Sequence, residues 1–123
     1  MRNTKRILIV DDEEALTFSL YQTFINLPVE CEVITAASGE EAQERIDKYK
    51  FDIVITDIAM PGLDGLDLLS RIKVKSPDTR VIVITAYGSD ERKEQAYKRG
   101  AENYIEKPFD LHQIRDIVIK MMS

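Results

Sequence analysis

Apolar residues in this chain come in short runs that stop abruptly on polar ones. Ile7 to Val10 leads into Asp11-Asp12, Phe51 to Thr56 into Asp57, Val81 to Ile84 into Thr85 (a strand from Arg80 to Thr85), and Asn103 to Glu106 into Lys107-Pro108. Glu32 to Ala36 has the same character. Short Ile/Val-rich runs bounded by turn-formers predict strands, and near-continuous ones predict strands buried on both faces.

Between these runs the period lengthens to that of a helix. Asp12-Glu13-Glu14 opens the first, with acids where the N-terminal dipole favours them, and Leu16, Leu20 and Phe24 form its stripe until Asn26-Leu27-Pro28 stops it. Ser38-Gly39-Glu40-Glu41 reads as a cap and helix start, with Ala42, Ile46 and Tyr49 expected on the inner face. Met60-Pro61-Gly62-Leu63-Asp64-Gly65 can only be a loop, and Leu66, Leu68, Leu69 and Ile72 mark a third helix ending near Ser76-Pro77. Ser89-Asp90-Glu91-Arg92 opens an unusually polar fourth helix, with Ala96 and Tyr97 almost its only apolar residues and Gly100 its end. The run from Ser89 to Arg99 reads most simply as a solvated face. Asp110 caps a last helix carrying Leu111, Ile114, Val118 and Met121.

Five strands alternating with five helices predict an α/β fold, a doubly wound five-stranded parallel sheet covered on both faces. Ligands of such sheets sit outside the carboxyl ends of the strands, at the switch point. Asp11, Asp12, Asp57, Thr85 and Lys107 all fall at that edge.

Bulk composition narrows the classes. A chain of 123 residues with 44% apolar residues is expected to form one domain, 1–123, and no linker or repeat divides it. A net charge of -5 argues against direct nucleic-acid binding, which needs a basic face. No apolar run approaches the roughly 20 residues that cross a bilayer, so no membrane association is expected. Cys31 is the single cysteine, read as an inert, half-buried thiol; with no secretion signal, the expected location is the cytoplasm.

Three carboxylates in one cleft repel one another, and a hard oxygen-preferring cation such as Mg²⁺ relieves that repulsion. Lys107 would add counter-charge, and a carboxylate so placed can attack phosphorus. Taken singly, each residue has a plainer role. Asp12 could cap the first helix, Thr85 could be a β-branched strand end, Tyr104 a half-buried aromatic, Lys107-Pro108 a strand terminator and Met60-Pro61-Gly62 a turn. The set counts for more than its members.

That set resembles a response-regulator receiver domain of two-component signalling: Asp11-Asp12, Asp57 before Met60-Pro61-Gly62 and Asp64-Gly65, Thr85-Ala86, Tyr104, and Lys107-Pro108-Phe109. The likeness runs from Arg6 to about Met121, with 45 residues from Asp12 to Asp57, 28 to Thr85 and 22 more to Lys107. It implies a flavodoxin-like (βα)5 fold with strand order 2-1-3-4-5. By resemblance, Asp57 is the phosphoacceptor, charged by a histidine kinase or a His-containing phosphotransfer protein. Asp12, Asp11 (through water), Asp57 and the backbone carbonyl of Ala59 hold Mg²⁺, for which Mn²⁺ can substitute. Thr85 and Lys107 bind the phosphoryl group, Tyr104 switches with Thr85, and a cis bond before Pro108 is frequent in the family.

The implied output is a shifted surface of fourth helix, last strand and last helix that controls a partner, a homodimer or an attached domain. Ala59 and Tyr87 fall where receivers tune phosphoryl lifetime, and the pair suggests slow self-hydrolysis. The chain is expected to catalyse only its own phosphotransfer and slow dephosphorylation, not turnover as an enzyme. An aspartyl phosphatase commonly carries a second acid where Ala59 stands, and a nucleotide fold needs glycines where Asp12-Glu13-Glu14 stand. A phosphate-independent binding module would fit better had Asp57 or Lys107 been missing. No output domain is expected within these residues. A stand-alone receiver and the N-terminal part of a transcription regulator both remain open.

Overall fold

The computed structural model describes residues 4–122; the expected domain limits, 1 and 123, lie outside them. The elements run β1 (Lys5–Val10), α1 (Glu14–Ile25), β2 (Cys31–Ala36), α2 (Gly39–Lys48), β3 (Ile53–Asp57), α3 (Gly65–Lys75), β4 (Arg80–Thr85), α4 (Asp90–Lys98), β5 (Asn103–Glu106) and α5 (Leu111–Met122). All strand pairings are parallel and the order is β2-β1-β3-β4-β5. The chain therefore leaves β1 for β2 on one side and returns to place β3 on the other. The switch point lies between β1 and β3, at the ends that carry Asp11-Asp12 and Asp57.

Strand alternation splits the core into two layers. Leu8, Val10, Val54, Val81 and Val83 face α2, α3 and α4, packing on Ala42, Ile46, Leu66, Leu69, Ile72 and Ala96. Ile7, Ile9, Ile53, Ile55, Ile82 and Ile84 face α1 and α5, packing on Leu20, Phe24, Ile114 and Val118. Full burial of such a side chain stabilises the fold by about 1.5–3 kcal/mol relative to exposure. This rigid double-sided packing holds the strand ends, and hence the polar residues beyond them, in fixed relation.

Local chemistry sets the boundaries. Ser38 and Ser89 accept N–H bonds from Glu41 and Arg92 at 3.1 Å, capping α2 and α4. Asp64 and Asp110 do the same for Leu66 and His112 at 2.8 Å, at the starts of α3 and α5. Helix α1 begins two residues later than its acids suggest: Glu13 is the N-cap with no side-chain cap, and Asp11 Oδ1 takes the Glu13 N–H at 2.9 Å. The capping role open to Asp12 is thus not used.

One expected inner-face residue is displaced. Helix α2 ends at Lys48 and Tyr49 turns extended (φ -130°, ψ 147°), out of helical phase. Its ring, 40% exposed, stacks edge-on with Phe51 at 6.3 Å and lies under the Arg6 guanidinium at 5.0 Å. Tyr97 is 43% exposed, because the one buried position of α4 belongs to its neighbour Ala96. Phe51 is buried but precedes β3, and Asp57 is that strand's last residue. Cys31 is half-buried, its Sγ 3.0 Å from the Phe24 carbonyl.

Gly65 is where fold and cleft meet. A Cβ there would collide with Ile58 Cα and come within 2.7 Å of the Asp57 carbonyl, backbone that has no room to yield. Gly65→Ala should therefore lower stability by about 1–3 kcal/mol, read from urea unfolding; a loss below about 0.5 kcal/mol would show that α3 can move away freely.

Candidate functional site

The carboxyl edge of the sheet gathers the polar residues. Asp11 and Asp57 are buried and Asp12 is exposed, and one carboxylate oxygen from each lies within 4.8 Å of the others. Lys107, next after β5, reaches back across the edge. Its ammonium lies 2.9 Å from Asp11 Oδ2, 3.0 Å from Asp57 Oδ2 and 3.1 Å from Glu13 Oε1. The peptide bond from Lys107 to Pro108 is cis.

Asp57 is held at both oxygens. Oδ1 accepts the Ala59 N–H at 2.8 Å and Oδ2 accepts from Lys107 Nζ. The plane of the acid is therefore set by one backbone donor and one cation. Burial raises the Asp11 carboxyl above its ordinary value; Lys107 and the Glu13 amide oppose this, while the Asp57 charge adds to it. Burial alone would push the Lys107 ammonium down, but its close pairing with Asp11 and the hydrogen bonds it donates to Asp57 and Glu13 outweigh this and hold the group above its ordinary range.

Asp11 Oδ2 is buried and receives no well-directed hydrogen bond, although the Lys107 ammonium stands near it. With the exposed Asp12 beside it, that oxygen fits a donor set of hard carboxylates for a divalent cation.

Thr85 ends β4 and is fully buried; its hydroxyl accepts the Tyr87 N–H at 3.1 Å, and no hydrogen bond from it to Asp57 is found among the described residues. Tyr104 is half-buried, with its hydroxyl buried against Gly88 in no well-formed hydrogen bond. Burial, then the Glu106 charge, push that phenol up, and the Ser89 amide and Arg92 offset this only in part. Tyr87 is 79% exposed on the same loop, so its ring packs on little of the protein.

Three contributors were not expected. Glu13 was read only as a helix-dipole acid, yet it is the third partner of Lys107; its place directly after Asp11-Asp12 was the available signal. Glu40, read as part of a helix start, accepts the Leu63 N–H at 2.8 Å beside Gly62, whose φ is +88°. Arg92, placed on a solvated face, turns back onto the loop after Asp57, and no sequence pattern marks it.

A buried acid at the switch point, clasped by an ammonium and flanked by two further acids, defines a phosphoryl- or cation-handling α/β domain. The profile described as "Response regulator receiver domain" matches residues 7–119. The chain belongs to that family, the phosphorylation-controlled signalling switches of two-component systems. It is 36% identical over 118 residues to "Sporulation initiation phosphotransferase F" of Bacillus subtilis, covering 96% of this chain and 94% of that one. "Response regulator protein FleR" of Pseudomonas aeruginosa is 35% identical over 115 residues, but the chain spans only 24% of its length. Among solved structures, the receiver domain protein (CheY-like) of Methanospirillum hungatei superposes with a TM-score of 0.89 at 29% identity, covering 98% and 94% of the two chains. The beryllofluoride-activated NtrC4 receiver domain dimer does so with 0.85 at 37%, covering 97% and 96%.

The raised Asp11 carboxyl gives a signed prediction. An acid whose folded pKa lies above its unfolded value stabilises the fold below the unfolded value, and that contribution disappears as pH rises through the folded one. In chelator-treated protein, Asp11→Asn should therefore gain on wild type as pH rises from about 3.8 to neutrality. Urea unfolding across that range checks it; a stability difference between variant and wild type that stays flat, or moves against the variant, as pH rises would contradict the balance described.

Proposed function

We propose that Asp57 is the phosphoacceptor of this receiver, with residues 1–123 acting as one unit. The observation that carries this is the double hold on its carboxylate, by Ala59 N–H and Lys107 Nζ, within reach of two further acids. A fixed, charge-paired oxygen at an open sheet edge is oriented for in-line attack.

A carboxylate oxygen of Asp57 forms the new P–O bond as the P–N bond of a phosphohistidine breaks, and the departing imidazole takes up a proton. Asp11, Asp12, Asp57 and the Ala59 carbonyl would hold Mg²⁺, or Mn²⁺ in its place. When bound, that ion neutralises phosphoryl oxygens and the crowded acids. Lys107 leaves Asp57 Oδ2 for the incoming group while its contacts to Asp11 and Glu13 keep it at the cleft. Thr85 exchanges its Tyr87 N–H partner for a phosphoryl oxygen, turning its hydroxyl into a donor. Tyr104 responds to the loop that carries Gly88. Helix α4, with one buried residue, is the element held least by apolar packing and the one expected to shift.

The donor is a histidine kinase or a His-containing phosphotransfer protein. The output is an altered α4-β5-α5 face that binds a partner, a second copy or an attached domain. A dimer is the state in which the NtrC4 receiver was solved. The protein works in the cytoplasm; among the described residues no helix is long and apolar enough to cross a membrane. It turns over no external phosphoester, since Ala59 stands where a leaving-group acid would be needed. Ala59 also offers nothing to position an attacking water, and Tyr87 at the rim shields the group once the loop closes, so the phosphoryl group is long-lived.

Incubation with acetyl phosphate and Mg²⁺, followed by intact-mass measurement, should add one phosphoryl group to wild type and none to Asp57→Asn. Label on the asparagine variant would move the acceptor elsewhere. In the decay of the labelled protein, Tyr87→Ala should lose phosphate several-fold faster; an unchanged half-life would remove Tyr87 from the account.

A further inference from the structure

We propose that Arg92 is a positioning residue for the acceptor, acting through one peptide unit, an inference that rests on Asp57 being the phosphorylated group. From the first turn of α4, Arg92 Nη2 lies 3.4 Å from the Ile58 carbonyl oxygen and donates to it. That carbonyl belongs to the Ile58–Ala59 peptide, whose N–H holds Asp57 Oδ1 at 2.8 Å. A peptide unit is planar, so fixing its oxygen fixes the direction of its N–H. A cationic donor on the oxygen also polarises the unit and strengthens what the N–H donates.

The same Nη2 stands 3.5 Å from Asp64 Oδ1, which caps α3 through the Leu66 N–H. Arg92 thus spans the acceptor loop from its first peptide to its last residue. The base of its side chain is fixed too, because its own N–H is bonded to the Ser89 cap. On the other flank Glu40 holds the Leu63 N–H from α2. Among the described contacts, only Arg92 reaches the peptide that grips the acid.

The plainer view is a surface ion pair with Asp64, which in general contributes little. The two separate cleanly. In ¹⁵N-labelled, chelator-treated protein, Arg92→Gln should move the Ala59 amide proton upfield as its bond to Asp57 weakens. Labelling by acetyl phosphate should slow roughly three- to tenfold, the scale of one net hydrogen bond. Arg92→Lys should recover part of both, and Asp64→Asn, which keeps a capping oxygen but deletes the ion pair, should leave both near wild type. Thermal unfolding confirms that each variant is folded. An unmoved Ala59 amide in Arg92→Gln, or the same change in Asp64→Asn, would overturn the proposal. A wild type that takes no label would instead refute Asp57 as acceptor, while the amide comparison still decides the part played by Arg92.

Discussion

Everything in this cleft follows from like charges forced together. The parallel sheet brings β1 and β3 side by side at the switch point, and the residues that end them are acids. Two of those, Asp11 and Asp57, are buried. Such a pair is unfavourable without compensation. Lys107 supplies it from β5's side of the sheet, its ammonium within 3.1 Å of three carboxylates. The compensation is incomplete: three acids crowd within 4.8 Å, Asp11 stays raised, and one of its oxygens lacks a directed partner. A site left short of positive charge is suited to a cation.

The fold converts that electrostatics into position. Buried Ile and Val on both faces make the central strands immobile, so the cleft residues inherit fixed places. The loop after β3 is held by two side chains, Glu40 on Leu63 and Arg92 on Ile58, and by the contact that only glycine permits at position 65. Rigid strands with lightly tethered loops suit a switch: the proposed acceptor oxygen is held in place, while α4, which buries only Ala96, is fastened least by apolar packing.

Much of this is legible in the sequence. Strand β4 runs from Arg80 to Thr85 as its apolar run suggested, because a strand buried on both faces leaves no ambiguity of period. Asp11, Asp12 and Asp57 are legible because they follow such runs, and Lys107 because it follows the short last strand; topology alone brings their backbones to one edge. The differences have physical causes. Helical spacing places Tyr49 on the inner face, but α2 stops at Lys48 and the extended residue after it turns outward. Glu13 and Arg92 act through long side chains crossing to another element, and no local pattern encodes where such a chain will bend.

Calorimetric titration with Mg²⁺ tests the electrostatic claim most directly. Wild type should bind one ion saturably, and neutralising either Asp12 or Asp57 as asparagine should weaken that binding at least tenfold, about 1.4 kcal/mol. Unchanged affinity in both variants would mean that the crowded acids are not what holds the cation, and the account of the cleft would fail with them.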